Sequence, residues 1–364
     1  MKYLARIARA AAVVGAVLLG YLALWPVPIE PTAWTPGPDP GQTGPYVAND
    51  DLAAASLLPV GTAPDAIAPE TLARSPRDGR LYTALANGAI VRLQEGGGEA
   101  DTVANVGPRP LGVVFAPDGT LYVAHTSRGV LRVGPDGGST TVADCGDGPY
   151  PRFTDSLYLA ADGAIWFTCP SQRFDLGGVR FDAMESGRTG RVRRWDPATG
   201  QAATVLDGLV FANGITMGPD EDFLLVNEWA GYRVLRYWVR GPRAGEREVF
   251  IDDLPGYPDN IHRDADGLYW IGLVVRRNPL VDRLHASPPL MKVLPRIPER
   301  LQPHAPRFGW LLALDGQGRV RHNLQDSTGV FDQVTGALHV GDELFVTSNT
   351  MQAVGRLRAP GGAP

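Results

Sequence analysis

Six copies of one short phrase dominate this chain. Each is a polar turn running into an apolar or aromatic strand: Asp78-Gly-Arg-Leu-Tyr-Thr, Asp118-Gly-Thr-Leu-Tyr-Val, Asp162-Gly-Ala-Ile-Trp-Phe, Asp220-Glu-Asp-Phe-Leu-Leu, Asp266-Gly-Leu-Tyr-Trp-Ile and Gly341-Asp-Glu-Leu-Phe-Val. Successive turns lie 40, 44, 58 and 46 residues apart, and the last gap is about 75. Further strand-like runs follow several copies, such as Gly129-Val-Leu-Arg-Val and Tyr232-Arg-Val-Leu-Arg-Tyr-Trp. A repeated unit of roughly 40–50 residues, with three or four strands and no helical period, is the pattern of a propeller blade. Six units predict an all-β, six-bladed β-propeller over residues 46–364. A β-sandwich is the competing architecture, but it would not repeat at blade length. The 44 glycines and 32 prolines suit a chain made of short strands and many turns.

The N-terminus reads differently. Lys2, Arg6 and Arg9 precede an apolar run from Ala10 to Trp25, and the first acid is Glu30. That run approaches the roughly 17–25 residues that span a bilayer. The basic residues before it predict a cytoplasmic N-terminus. Leu22-Ala-Leu-Trp-Pro-Val is a poor cleavage site, so residues 1–25 are expected to be an uncleaved signal anchor or transmembrane helix. The proline-dense residues 26–45 read as an extended tether. The propeller is then membrane-anchored and extracytoplasmic (periplasmic in a bacterium). Between the fifth and sixth turns, residues 276–308 form an insertion with seven prolines and several leucines. It is either a lid or membrane-facing flap at one mouth of the channel, or a structural strap. Cys145 and Cys169 are either one disulfide or two buried thiols. A net charge of −5, without a basic stripe, predicts no nucleic-acid partner.

Counting seven residues back from the turns at Asp162, Asp220 and Asp266 gives Asp155, Asn213 and Asp259. The same count from Asp118 gives Leu111. In the two terminal units the turn is read as displaced, and the matching strand heads are taken as Asp65 and Asp332. The first strand of each blade lines the central channel, so these heads converge on the axis. Clustered carboxylates repel in a channel of low dielectric, and a bound cation relieves that repulsion. Oxygen-only ligands point to a hard ion, Ca²⁺ above Mg²⁺ or Mn²⁺. Asp and Asn at strand heads also serve simply as local backbone acceptors.

Phe211-Ala-Asn-Gly-Ile, Asn227-Glu-Trp, Pro255-Gly-Tyr-Pro-Asp-Asn-Ile and Arg152-Phe-Thr-Asp-Ser-Leu together resemble a known superfamily. They are similar to the strictosidine synthase-like and adipocyte plasma membrane-associated branch of the calcium-dependent six-bladed propellers. Gluconolactonases and paraoxonases are more distant relatives. The resemblance spans roughly Tyr46 to Leu357. It implies an axial metal held by Asp65, Asn213 and Asp259, with Asp155 at the third blade and Asn260 as a paraoxonase-like helper. Glu70 is the fallback for Asp65. It also implies that Asp259 acts as base or water activator. In the synthases the catalytic acid falls on Asp332, while the neighbouring His is Val330 here, which argues against their condensation chemistry. His125 is a candidate proton shuttle or a structural histidine, and His262 is expected to face away from Asp259.

The leading expectation is a Ca²⁺-dependent hydrolase of a small-molecule ester or lactone, of arylesterase or lactonase type, with Asp259 or Asp155 as base. The chain has no Gly-x-Ser-x-Gly elbow to supply a serine nucleophile. The alternatives are a non-catalytic binding propeller with a structural ion, and a synthase-type condensation through Asp332.

Overall fold

The computed structural model describes residues 2–94, 97–146, 153–302 and 306–361. Arg152 of the resemblance phrase and part of the proline-rich insertion lie outside them.

Six four-stranded antiparallel sheets form six blades. Blade 4 is representative: Ala212–Met217, Phe223–Glu228, Arg233–Trp238 and Arg247–Ile251 run from the axis to the rim. The innermost strands of blades 1 to 6 are Leu72–Arg74, Pro110–Phe115, Leu157–Leu159, Ala212–Met217, Gly256–Arg263 and Val334–Val340. Blade 6 is completed from the other end of the chain. Ser56–Pro59 pairs antiparallel with Ala353–Arg358, joining the two ends of the propeller and removing an open edge.

Both faces of these strands are apolar because each blade packs on two neighbours. Between blades 4 and 5, Leu225, Val234, Ile261, Tyr269, Ile271, Trp310 and Leu312 form one buried cluster. Neighbouring blades approach closely enough near the axis to require glycine. A Cβ on Gly214 would lie 2.5 Å from the Asp259 carbonyl oxygen, and one on Gly272 would lie 2.4 Å from that of Thr335.

The helix Lys2–Leu24 is long and apolar enough to cross a membrane, with a mean hydropathy of 2.0 over its candidate span, Tyr3–Leu24. The stretch after it is extended but is not a free tether. Ile29 is fully buried against Met184, Met291 and Leu294. The Thr32 amide donates to the Glu185 carbonyl and the Trp34 amide to that of His285. The insertion is ordered over its described residues. It contains the short helices Pro279–His285 and Pro288–Met291, the first capped by Asn278, whose side-chain oxygen accepts from the Leu280 amide at 2.9 Å. Arg296 of the insertion donates to the Trp25 and Leu22 carbonyls, so it caps the end of the N-terminal helix. Cys145 and Cys169 form a disulfide.

Candidate metal centre

The strand pairings decide which residues are equivalent around the axis. In blade 4, Ile215 pairs with Val226, two residues past Asn213. Leu157 and Ile261 occupy the same place two residues past Asp155 and Asp259. In blade 1 the matching pair is Leu72 with Thr83, which makes Glu70 the ring residue. In blade 6 it is Ala337 with Val346, which gives Thr335. Backbone geometry supports this register independently. Ala68, Arg109, Phe211 and Gln333 each lie two residues before a ring position, and all are left-handed, with φ of 63°, 62°, 58° and 47°. Non-glycine residues rarely adopt that conformation, so four in register mark a repeated device.

The ring is therefore Glu70, Leu111, Asp155, Asn213, Asp259 and Thr335, which corrects both terminal assignments. Asp65 is exposed on the preceding loop, with its carboxylate 3.4 Å from the Asn87 side-chain amide. Asp332 is buried but lies three residues before the ring position. Its Oδ2 accepts from Arg307 Nε at 2.6 Å, and its Oδ1 from Thr350 at 3.0 Å. Blade 1 carries a clear signal after all: Ala68-Pro-Glu70 repeats the form of Tyr257-Pro-Asp259. The similar Ala63-Pro-Asp65, five residues earlier, is a decoy.

Glu70, Asp155 and Asp259 are all buried. Burial pushes all three carboxyls above their usual range. For Asp155 the charge of Glu70 adds to the rise, and for Asp259 the charges of Asp155 and Glu70 do. These three groups thus share one field. Arg109 Nη2 donates to Glu70 Oε1 at 2.8 Å, whereas the neighbouring amide and hydroxyl groups act on backbone. Asn260 Nδ2 and Thr335 Oγ1 donate to the Glu70 carbonyl at 3.1 and 2.8 Å, and Asn227 Nδ2 donates to that of Asp259. The side-chain oxygens of Asn213 and Asn260 are buried without a hydrogen-bond partner. Such a loss is costly unless something else satisfies the oxygen. The donor set is all oxygen, which fits a hard divalent cation.

One end of the ring opens into a cavity of about 900 Å³ lined by Glu70, Ser156, Asn260, His262 and residues down to the turns at Asp162 and Asp220. At the strand-head end, Leu111 packs with Phe153, Phe211 and Ala230. Trp229 bridges Phe211 and Tyr257, at ring separations of 5.0 and 4.5 Å. His125 is buried; burial lowers its pKa and the charge of Arg128 adds to that, and its Nε2 has no partner.

A second acidic group lies at the turn end of blades 5 and 6. The ligand atoms of Asp264, Asp266 and His339 lie within 4.8 Å of one another. Here the buried member is satisfied: Asp264 accepts from the Leu268 amide and Trp270 Nε1, both at 2.8 Å, and contacts His339 Nδ1 at 3.0 Å.

The fold is a six-bladed propeller of the same architecture as solved gluconolactonase and regucalcin structures. A Xanthomonas campestris gluconolactonase superposes with a TM-score of 0.61 at 17% identity, covering 84% of this chain and 90% of that one. A calcium-binding regucalcin from Agrobacterium tumefaciens gives 0.59 at 17%, covering 83% and 93%. The strictosidine synthase profile matches residues 155–242, and the strictosidine synthase-like N-terminal profile matches residues 44–93. The bovine adipocyte plasma membrane-associated protein is 30% identical over 94% of this chain and 87% of its own length. Protein strictosidine synthase-like 13 of Arabidopsis thaliana is 36% identical over 61% of this chain and 56% of its own length. The chain belongs to the strictosidine synthase-like family that includes the adipocyte plasma membrane-associated proteins.

Proposed function

We propose that this propeller is a hydrolase of an ester or lactone that depends on one divalent cation, Ca²⁺ by donor chemistry. The observation that carries the reading is the all-oxygen donor set on the axis, with the buried amide oxygens of Asn213 and Asn260 left unpartnered. Glu70, Asp155, Asn213 and Asp259 would hold the ion, with Asn260 beside them. Bound there, it would polarise a carbonyl and favour the developing oxyanion. Asp259 takes the proton from the attacking water, and its burial suits a carboxylate that must act as a base. The cavity of about 900 Å³ that adjoins the ring at Glu70 and Asn260 gives a small acyl or aryl group room beside the ion. Asp332 is already held by Arg307 and Thr350, which favours hydrolysis over a condensation through that residue.

The membrane arrangement belongs to the same reading. The N-terminal helix spans the bilayer with its N-terminus in the cytoplasm, and the propeller lies outside, where its disulfide is stable. The insertion follows the strand whose end, Arg276, pairs with Gly256 at the strand-head side. Because Arg296 holds the helix end, the strand-head mouth lies toward the lipid.

The test uses the full chain in detergent or nanodiscs with a panel of aryl esters and lactones, with and without chelator. Hydrolysis that chelator abolishes and Ca²⁺ restores supports the reading. Ca²⁺-dependent stabilisation with no turnover of any substrate would favour a binding propeller with a structural ion.

A further inference from the structure

Blade 2 departs from the chemistry of the ring. Its ring residue is Leu111, which offers no donor. Two residues earlier stands Arg109, whose Nη2 lies 2.8 Å from Glu70 Oε1. Its backbone is held at φ 62° by bonds at both ends. The Arg109 amide donates to the Ala86 carbonyl at 2.9 Å, and its carbonyl accepts from Thr126 Oγ1 at 3.0 Å. Its backbone is the left-handed device shared by Ala68, Phe211 and Gln333, so the arginine is presented from a fixed, repeated position beside the ring. The charge of Arg109 acts on Glu70, Asp155 and Asp259 alike.

The formal charges then balance in a specific way. Three axial carboxylates and one guanidinium leave a charge of −2, which a divalent cation neutralises. Without Arg109 the ring would carry −3 and match a trivalent ion. We infer that Arg109 is the charge-setting residue of the axial site: it tunes the ring to a divalent cation while holding Glu70 in position. This rests on the cation reading above and adds the source of its charge selectivity.

The experiment titrates the full-length protein in nanodiscs with Ca²⁺ and with Tb³⁺, following terbium luminescence and its displacement by calcium. The readout is the ratio of the two Kd values, since a displaced Glu70 weakens both ions while the loss of a charge does not. Arg109→Gln should move the ratio toward terbium by about tenfold to a hundredfold, the scale of one unit charge a few ångströms away. Arg109→Lys should keep the wild-type ratio, and Arg109→Gln with Asp155→Asn should restore it. If Arg109→Gln does not fold, Asp155→Asn alone must move the ratio toward calcium. A wild-type ratio in Arg109→Gln, a Lys variant that behaves like Gln, or an unmoved ratio in Asp155→Asn overturns the inference. A wild-type protein that takes up neither ion overturns the cation reading itself, and this inference with it.

Discussion

Two acidic clusters in this propeller look alike by composition and differ in what their oxygens already do. At the turn end, Asp264 is saturated by Leu268, Trp270 and His339, and Asp266 is solvent-exposed. On the axis, the carboxylates of Glu70, Asp155 and Asp259 are buried together, and the amide oxygens of Asn213 and Asn260 beside them have no partner. Closeness of acids alone would select the first cluster. Unmet hydrogen-bonding capacity selects the second. On the reading proposed above, the difference separates a structural ion-pair network from a place for a ligand, and it can be broken experimentally at several levels.

The largest effect is expected at Asp259. Asp259→Asn should lower hydrolysis by about 10²–10⁴-fold, the usual worth of a positioned base, measured as kcat/KM on the best substrate of the panel. Glu70→Gln should abolish the rise in Tm on adding Ca²⁺, because it removes a ring carboxylate. Asp264→Asn should instead cost about 1–3 kcal/mol of stability through lost buried hydrogen bonds, with the calcium affinity unchanged in a titration.

The clusters should also answer pH with opposite sign. The axial carboxyls have raised pKa values, so in chelated protein the native state binds more protons than the unfolded chain. Stability should therefore rise as pH falls from neutrality toward the ordinary carboxylate range, and Ca²⁺ should cancel that trend. For Asp264, burial works against ionisation, but the hydrogen bonds from Trp270, Leu268 and His339 outweigh it and lower the pKa. Its contribution is present above the usual carboxylate range and is lost as pH falls below it. Thermal melts of chelated wild type and of Asp259→Asn separate the two. The smallest effect is at Asp65, where Asp65→Asn should change neither the calcium response nor activity.

Most of the fold was legible because the turn phrase recurs and marks the hairpin between the first two strands of each blade. Asp155, Asn213 and Asp259 were reachable by counting from it. The terminal blades misled the count through hairpin length. Blade 1 joins Arg74 to Leu81 through residues 75–80, one more than the 116–120 hairpin of blade 2, and blade 6 turns in two residues between Val340 and Glu343. Counting from the turn therefore missed Glu70 and Thr335, whereas pairing register found them. The docking of residues 26–46 was not legible either. A proline-dense segment reads as a spacer, and only the surfaces of Met184, Met291 and Leu294 make Ile29 a core residue. Arg109 escaped because a cation that replaces a ligand leaves no periodic mark.

The most direct measurement is the anomalous difference map of a crystal grown with Mn²⁺ or Ca²⁺. The account predicts one peak on the channel axis, with oxygens of Glu70, Asn213 and Asp259 within about 2.3–2.6 Å for calcium. A peak held by Asp264, Asp266 and His339, with none on the axis, would contradict it.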